Sequence, residues 1–381
     1  MVMVTPNVTS AQEPTVREVL SFLLTNQQVP TGDFVKDQAA TAATRDTISR
    51  ALLVELATLP ISTSSGGFTY TFNSTLGTME RVSETFGPLF LDRAVTTGRR
   101  QVSFGMAYRH ASFRTLDGRD LRDGTLVTTA NKFRDEQQPF DVEALTLRLS
   151  TSTVTFVGNY GVSSRFDIGA AVPVVALQLD GERTNTYYGT SFVQARGTAT
   201  ATGLADVAIR AKYRMLGAGA QGLAAGVELR LPTGSAEDLR GAGDLAVRVS
   251  MIGSVARGPL ESHFNVALTE GGVSREVGYA GGVVWAAGSR VTFSGELLAR
   301  RIEALGGIQN VVEPHPTLRN VDTIRLLASG QNATTRFAGA GAKWNVTRTL
   351  LLTANVIVPL SDSGVKSGPV PTVSLDYSFA R

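Results

Sequence analysis

The sequence predicts an all-β protein, a transmembrane antiparallel β-barrel of about 12 strands with a helical N-terminal extension. Three observations support this fold class. From about residue 99 onward, apolar and polar residues alternate with a period of two, which is typical of strands. Short turns alternate with long polar loops, as they do in outer-membrane barrels. Charged residues make up only 18% of the chain, against about a quarter in soluble domains.

The alternation is clear in residues 204–216, where Val207, Ile209 and Tyr213 share one face and Arg210 and Lys212 share the other. A helix cannot reproduce this pattern, since its period is about 3.6 residues. Similar segments recur near 99–113, 140–157, 163–180, 204–216, 221–231, 243–256, 259–270, 276–287, 290–303, 334–346, 348–360 and 370–379.

The width of such a barrel indicates which face of its strands is in contact with water. About twelve strands enclose a space too wide for side chains to fill easily. A charged interior with an apolar belt outside is stable only in lipid, where closure also satisfies every backbone group. A soluble sandwich or barrel, with its charges facing water, is the alternative. We expect interfacial aromatic girdles, formed by Tyr108, Phe166, Tyr213, Trp285, Trp344, Tyr377 and Phe379.

The stretch "GAGAQG", residues 217–222, fits the glycine template of nucleotide-binding loops. A phosphate-binding loop must open into a helix, whose amino terminus holds the phosphate. Here a second alternating strand follows. The pattern therefore predicts a turn between two strands.

Residues 1–60 are predicted to form a tail and two amphipathic helices. Thr15 and Glu18 fit a capping box, and Ile48 and Leu52 lie on one face of the second helix. These helices would close the periplasmic mouth, lie on the inner leaflet, dock a protein partner, or form a loose tail. The segment "VTSAQEP" resembles a signal-cleavage region, so either the true start lies upstream or the tail is simply polar.

Residues 61–98 are predicted to be a plug or linker that precedes the barrel, residues 99–381. We expect this segment to fold into the lumen as a plug or gate, or else to lie against the periplasmic mouth. Its predicted gating residues are Glu84, Phe86, Pro88, Phe90 and Arg93.

Two stretches resemble a Gram-negative outer-membrane family usually described as MetA-pathway phenol-degradation-associated, or transporter-like. The first is residues 83–113, with "FGPLF" at 86–90. The second is "LRLPTG" at 229–234, followed by "GAGD" at 241–244. The resemblance implies a membrane β-barrel that takes up small, often hydrophobic or aromatic compounds. It supplies no established functional residue.

Charged residues on the polar faces of the strands are the candidate selectivity residues. Rings of charge tune selectivity in pores, and a cation-rich interior would favour anionic solutes such as aromatic carboxylates. The alternative is a structural salt-bridge network that only fills the barrel. The predicted lumen-lining residues are Arg148, Arg210, Lys212, Arg214, Glu228, Arg230, Arg248, Glu296, Arg300 and Asp376.

No enzymatic chemistry is evident in the sequence. The chain has no cysteine, and its three histidines lack metal-ligand spacing, so we expect no metal and no cofactor. His110 and Ser112 have the His-x-Ser spacing seen in outer-membrane phospholipases, but no orienting third group follows them. A net charge of +3 without a basic patch argues against nucleic acid.

The sequence therefore predicts a bacterial outer-membrane channel for passive uptake of small, hydrophobic or aromatic solutes, gated by an N-terminal plug. Its N-terminal segment would be periplasmic or inside the barrel. The expected partners are outer-membrane lipid, a small-molecule solute and, through the helices, a protein. The alternative is a non-transporting anchor or assembly protein whose helices bind that partner.

Overall fold

The computed structural model describes residues 14–26, 28–58, 70–73, 78–303, 305–347 and 349–379. The predicted tail at 1–13 and the first part of the predicted plug, 61–69, lie outside these residues. The elements, in chain order, are α1 (Val16–Leu24), α2 (Phe34–Thr58), β1 (Tyr70–Asn73), β2 (Thr78–Arg81), β3 (Val102–Leu116), β4 (Arg119–Asp120), β5 (Leu126–Phe133), β6 (Asp141–Gly161), β7 (Phe166–Tyr187), β8 (Thr190–Leu204), β9 (Val207–Leu216), β10 (Gly222–Leu231), β11 (Ala246–Arg257), β12 (Leu260–Gly271), β13 (Glu276–Ala286), β14 (Val291–Ile302), β15 (Ile308–Pro314), β16 (Val321–Ala328), β17 (Ala333–Thr347), β18 (Leu350–Pro359), β19 (Val365–Ser367) and β20 (Val370–Phe379).

Twelve antiparallel strands close the barrel. Each pairs with the next in the cycle β3, β6, β7, β9, β10, β11, β12, β13, β14, β17, β18 and β20. The last strand, β20, returns to β3 with Leu375 opposite Met106, so no edge is left open. The predicted fold class, a transmembrane barrel of about 12 strands, is confirmed.

The two ends of the barrel differ. At one end, called the short-turn end, tight turns join consecutive strands. The stretch "GAGAQG" is such a turn, as predicted, because β9 ends at Leu216 and β10 begins at Gly222. Gly217 has φ +118°, and a Cβ there would lie 2.2 Å from the Gln221 carbonyl oxygen, so the turn requires glycine. At the other end, called the long-strand end, β4, β5, β8, β15, β16 and β19 extend the wall.

The outer surface of the barrel is apolar toward the short-turn end. Aromatic side chains are exposed close to the short turns, and Trp285 stacks on Phe293 at 6.0 Å between ring centroids. Tyr213, Trp344 and Tyr377 are also exposed near this end. Such a ring of aromatic residues is where an outer-membrane barrel meets the lipid headgroups.

Polarity changes faces along the longest strands. In the part of β6 near the short-turn end, Thr153 and Thr155 are buried on the inner face, and Phe156 is exposed on the outer face. In the part near the long-strand end the pattern is reversed, since Leu147 is buried on the inner face while Arg148 is exposed on the outer face. The long-strand extension is thus built like a soluble sheet, with an apolar inner face and a polar outer face.

Helix α1 packs on the inner face of this extension. Leu23 and Val19 lie over Gly181 of β7 and Gly197 of β8. A Cβ at Gly181 would come 2.2 Å from Leu23 Cδ1, and one at Gly197 would come 2.9 Å from Val19 Cγ1. The helix approaches the wall this closely because both strands carry glycine there.

Both ends of α1 are capped. The predicted capping box is formed, with the Glu18 backbone N–H donating to the Thr15 hydroxyl at 3.2 Å. At the other end, the buried Arg183 guanidinium donates to the carbonyl oxygens of Leu23, at 3.3 Å, and Thr25. Since Arg183 belongs to β7, the wall itself satisfies the last carbonyls of the helix.

Helix α2 is fixed to the same end. The Arg325 guanidinium of β16 donates to the Asp37 carboxylate at 2.8 Å. The Thr44 hydroxyl donates to the Leu326 carbonyl at 3.0 Å. The two helices therefore line the long-strand end. No helix among the described residues is long and apolar enough to cross a membrane.

The apolar outer face supports a stability prediction. Val266 faces outward near the middle of β12, and Leu260 faces outward at its short-turn end. Val266→Arg should cost about 2–4 kcal/mol and Leu260→Arg about 0–1 kcal/mol, because a charge is most costly at the bilayer midplane. Guanidinium unfolding of the protein in phospholipid vesicles measures both. Equal costs would show that lipid does not surround this face.

Candidate functional site

Residues 83–98, here called the lumen segment, run across the inside of the barrel near the short-turn end. The Phe86 backbone N–H donates to the Thr292 hydroxyl of β14 at 3.1 Å. Farther along, the Ala94 N–H donates to the Ser254 hydroxyl of β11 at 2.9 Å. The segment thus passes from one part of the wall to another and takes its hydrogen bonds from inward-facing side chains.

Glu296 of β14 is the most heavily used wall residue. Its carboxylate accepts the backbone N–H groups of Leu89, Phe90 at 2.8 Å and Leu91 at 3.1 Å. The Ser294 hydroxyl donates to the same carboxylate at 2.7 Å. Three consecutive amides on one buried carboxylate form a charge-assisted anchor for the segment.

Two further wall residues bind the second half of the segment. Asn265 pairs reciprocally with the backbone of Asp92, accepting its N–H at 2.7 Å and donating to its carbonyl at 3.0 Å. Asp167 of β7 accepts the Thr97 N–H at 2.8 Å.

Two lysines bind backbone carbonyl groups of the lumen segment. Lys212 Nζ of β9 donates to the Val95 carbonyl at 2.9 Å. Lys343 Nζ of β17 donates to the Pro88 carbonyl at 2.6 Å. Because carboxylates take the amides and lysines take the carbonyls, the segment has backbone partners without joining a sheet.

The predicted gating residues all belong to the lumen segment. Phe86, Pro88, Phe90 and Arg93 are buried, and Glu84 is exposed. Phe90 leaves no room on the wall strand beneath it, since a Cβ at Gly339 would lie 2.7 Å from Phe90 Cε2.

Above the segment, α2 is linked to the wall by a buried charge cluster. Glu55 accepts from Lys366 Nζ at 2.7 Å and from Arg300 Nη2 at 3.3 Å. Both cations also lie over the Phe337 ring, at 5.4 Å for Arg300 and 5.2 Å for Lys366. This cluster forms the boundary between the helices and the space below.

A cavity of about 130 Å³ lies between the lumen segment and the wall strands β6, β7, β9–β14 and β17, beside the Arg300 cluster. Its lining combines aromatic and aliphatic side chains with many charges. The charged members are Asp92, Asp167, Arg210, Lys212, Glu228, Arg230, Arg248, Glu276 and Arg300, and the apolar members include Phe90, Ile252, Leu298 and Phe337.

Most of these charges are paired. Glu228 lies between two arginines, with Arg210 Nε and Arg230 Nε each 2.7 Å from its carboxylate. Lys212 Nζ is 3.8 Å from Asp167. Part of the lining is therefore a salt-bridge network, which was one of the two sequence interpretations.

Arg248 differs from its neighbours. It stands directly opposite Glu228 in the β10–β11 register, half-buried in the cavity wall. Yet its guanidinium forms no hydrogen bond or ion pair with any residue that the structure describes. A guanidinium has five N–H donors, and Arg248 donates none of them to a described residue, although its charge interacts with that of Glu228.

The structure brings six predicted lumen residues together around the cavity and places three others elsewhere on the inner face. Arg214 donates to the Gly219 and Gln221 carbonyls of a short turn at 2.8 Å each. Glu296 anchors the lumen segment, and Asp376 lies against Gly105 on the neighbouring strand. The six around the cavity are Arg210, Lys212, Glu228, Arg230, Arg248 and Arg300.

Arg148 does not line the lumen. It was predicted to line the lumen, but its side chain lies on the outer face, 3.9 Å from Asp180 and exposed. The reason is the reversal of polarity along β6. In the extension, the inward positions are taken by leucines such as Leu147, which pack below α1, and charges point to solvent.

Several residues that hold the segment were not identified from the sequence. They occupy inward positions of strands whose alternation was recognised, so their direction was predictable. Their contacts were not, because the partner backbone is more than a hundred residues away in most cases. These residues are Asp167, Ser254, Asn265, Thr292 and Lys343.

The possible hydrolase pair is not assembled. His110 and Ser112 both face outward, but His110 Nδ1 lies 3.1 Å from the Ser152 hydroxyl. Ser112 accepts from Arg122 instead. Within the described part of the chain, no group of three His, Asp or Glu side chains is placed to hold a metal ion.

Residues 124–268 match the model of the family described as "Putative MetA-pathway of phenol degradation". This range contains "LRLPTG" and "GAGD", so the resemblance to that family is confirmed there. The first stretch, residues 83–113, lies before it. No curated protein is similar to the chain in sequence.

Solved structures with similar architecture share little sequence. An outer-membrane channel from Pseudomonas putida F1 has 13% identity and a TM-score of 0.46, over 75% of this chain and 98% of that one. The β-domain of the Bordetella autotransporter BrkA has 11% and 0.37, over 74% and 100%. The toluene transporter TbuX of Ralstonia pickettii has 10% and 0.29, over 74% and 90%. These likenesses concern the β-barrel architecture alone.

The anchor at Glu296 can be tested directly. Glu296→Gln removes its charge and one acceptor oxygen, so the amides of Leu89–Leu91 should exchange hydrogen about 10–100 times faster, as expected for the loss of about 1.5–3 kcal/mol. Hydrogen–deuterium exchange with mass spectrometry measures this. Glu136→Gln, at an exposed loop position, is the matched control. Unchanged exchange in Glu296→Gln would mean that this carboxylate does not hold the segment.

Proposed function

We propose that the protein is an outer-membrane channel for passive uptake of small solutes, and that the lumen segment is its gate. The observation that carries the proposal is a closed barrel whose interior is filled by residues 83–98 beside a charged cavity. A solute crossing the barrel would have to pass the place that this segment occupies.

The contacts of the segment suit a movable part. None of the twelve pairings that close the barrel involves residues 83–98. The segment is held by wall side chains such as Glu296 and Lys343, and side chains can release it without opening the sheet. Displacement would therefore leave the barrel intact, which a gate requires and a folding core does not.

The cavity supports a small solute of mixed character. Cavities of about 150 Å³ hold a benzene molecule, and the present one is similar in size. The matched family is described by phenol degradation. A single-ring aromatic compound, neutral or carrying a carboxylate, is therefore the proposed solute class.

A non-transporting anchor is the second candidate. It is favoured by the filling of the barrel at both ends, since α1 and α2 occupy the long-strand end and residues 83–98 the other. In that case the helices would serve a protein partner, and the lumen would stay closed. The two candidates differ in whether the segment ever leaves its site.

A reversible cross-link separates the two candidates. The chain has no cysteine, so Ala94→Cys with Ser254→Cys introduces one defined pair, where the Ala94 N–H now lies 2.9 Å from the Ser254 hydroxyl. In planar bilayers, the oxidised protein should show no conductance steps, and reduction should restore them. Adding Glu296→Gln should raise the open fraction of the reduced protein about tenfold or more.

The single variant Ser254→Cys controls for the substitution itself, because it cannot form the bond. Steps that persist in the oxidised double variant would mean that solutes bypass the segment. Steps absent under every condition, including Glu296→Gln after reduction, would rule out the aqueous channel and leave the anchor.

A further inference from the structure

We infer that the lumen cavity is a binding site for a small single-ring organic acid, and that Arg248 receives its carboxylate. The inference deepens the proposed function, on which it rests for the route of the ligand. It specifies an anionic ligand, the cavity that holds it and the residue that binds its charge. The channel proposal requires none of these.

The lining of the cavity is positively charged. Five cations and four carboxylates line it. Behind them Glu55 pairs with Lys366 and Arg300, and the inward-facing Arg109 places a further cation near Arg230. This excess of positive charge favours an anion over a neutral ligand.

The positive charge is concentrated around Glu228. Arg210 and Arg230 each pair with this carboxylate, and Arg248 faces it across the strand pair. Glu228 is thus shared by three guanidinium groups, of which Arg210 also interacts with Asp92. A partly desolvated guanidinium without a partner is costly, and a ligand carboxylate would return to it two charge-assisted hydrogen bonds.

Part of the lining is apolar. Phe90 and Phe337 contribute aromatic rings, and Ile252 and Leu298 contribute aliphatic surface. An organic acid has an apolar body that these side chains can cover while its carboxylate faces Arg248. A small inorganic anion would leave this apolar surface in contact with water.

The other cations are committed elsewhere, which isolates Arg248 as the recognition residue. Lys212 donates to backbone carbonyls of the lumen segment, and Arg300 pairs with Glu55 and Glu276. Replacing either would disturb the gate or the helices. Arg248 has no such partner among the described residues, so its replacement should leave the fold unchanged.

The test compares benzoate with benzamide, its neutral analogue, by isothermal titration calorimetry on the purified full chain in detergent. The unmodified protein should bind benzoate about tenfold or more tightly than benzamide, since a hydrogen-bonded charge contributes about 1.5–3 kcal/mol. Arg248→Gln should weaken benzoate binding by a similar factor and leave benzamide binding unchanged. Arg257→Gln, an exposed arginine on the same strand, should change neither.

Arg248→Lys keeps the charge but loses the planar fork, so it should bind benzoate with intermediate affinity. Equal binding of the two ligands, or unchanged benzoate binding in Arg248→Gln, would overturn the inference. Because binding is measured without conduction, the two proposals fail separately. Benzoate binding in a protein that never conducts would reject the channel and keep the site, and conduction without selective binding would do the opposite.

Discussion

The width of a closed twelve-strand barrel is the constraint on which the rest of the structure depends. Closure pairs every strand and leaves no edge in the lipid, but it encloses more space than inward side chains can fill. The chain fills this space with its own N-terminal residues. Helices α1 and α2 occupy the long-strand end, and residues 83–98 cross the lumen near the short turns. The cavity is the part of the lumen that neither the helices nor residues 83–98 fill.

Irregular backbone inside the barrel sets the polarity of the wall around it. A segment at membrane depth must satisfy its N–H and carbonyl groups within the protein. Glu296 and Asp167 accept its amides, and Lys212 and Lys343 bind its carbonyls. In the long-strand extension the filler is an apolar helix face, so the wall there presents leucines and glycines. The inner face of each strand is thus polar or apolar according to what fills the barrel beside it.

The sequence predicted what depends on local pattern. Period-two alternation and short turns sufficed for twelve strands, for the outer apolar belt and for the turn at "GAGAQG". The error at Arg148 came from applying one rule along the whole of β6. The reversal was visible, since Leu145, Leu147 and Leu149 alternate on the opposite parity from Phe156. The contacts of the lumen segment could not be predicted, because they join residues up to 257 positions apart, and alternation does not encode them.

The partners of each inward charge separate structural residues from available ones. Glu296 and Lys343 are saturated by backbone groups of the lumen segment, so their charges are already used when the barrel is closed. Arg210 and Arg230 share Glu228. Sequence alternation assigned Glu296, Arg210 and Arg230 to one set of selectivity residues, but a charge that is hydrogen-bonded within the protein has little left for a solute. Among the described cations that line the cavity, Arg248 is the one that forms no hydrogen bond or ion pair, so its N–H donors remain available on the cavity side. Selectivity in this barrel should therefore depend on how far the two helices and residues 83–98 extend into the lumen. Only a wall charge that they do not contact is available to bind a solute.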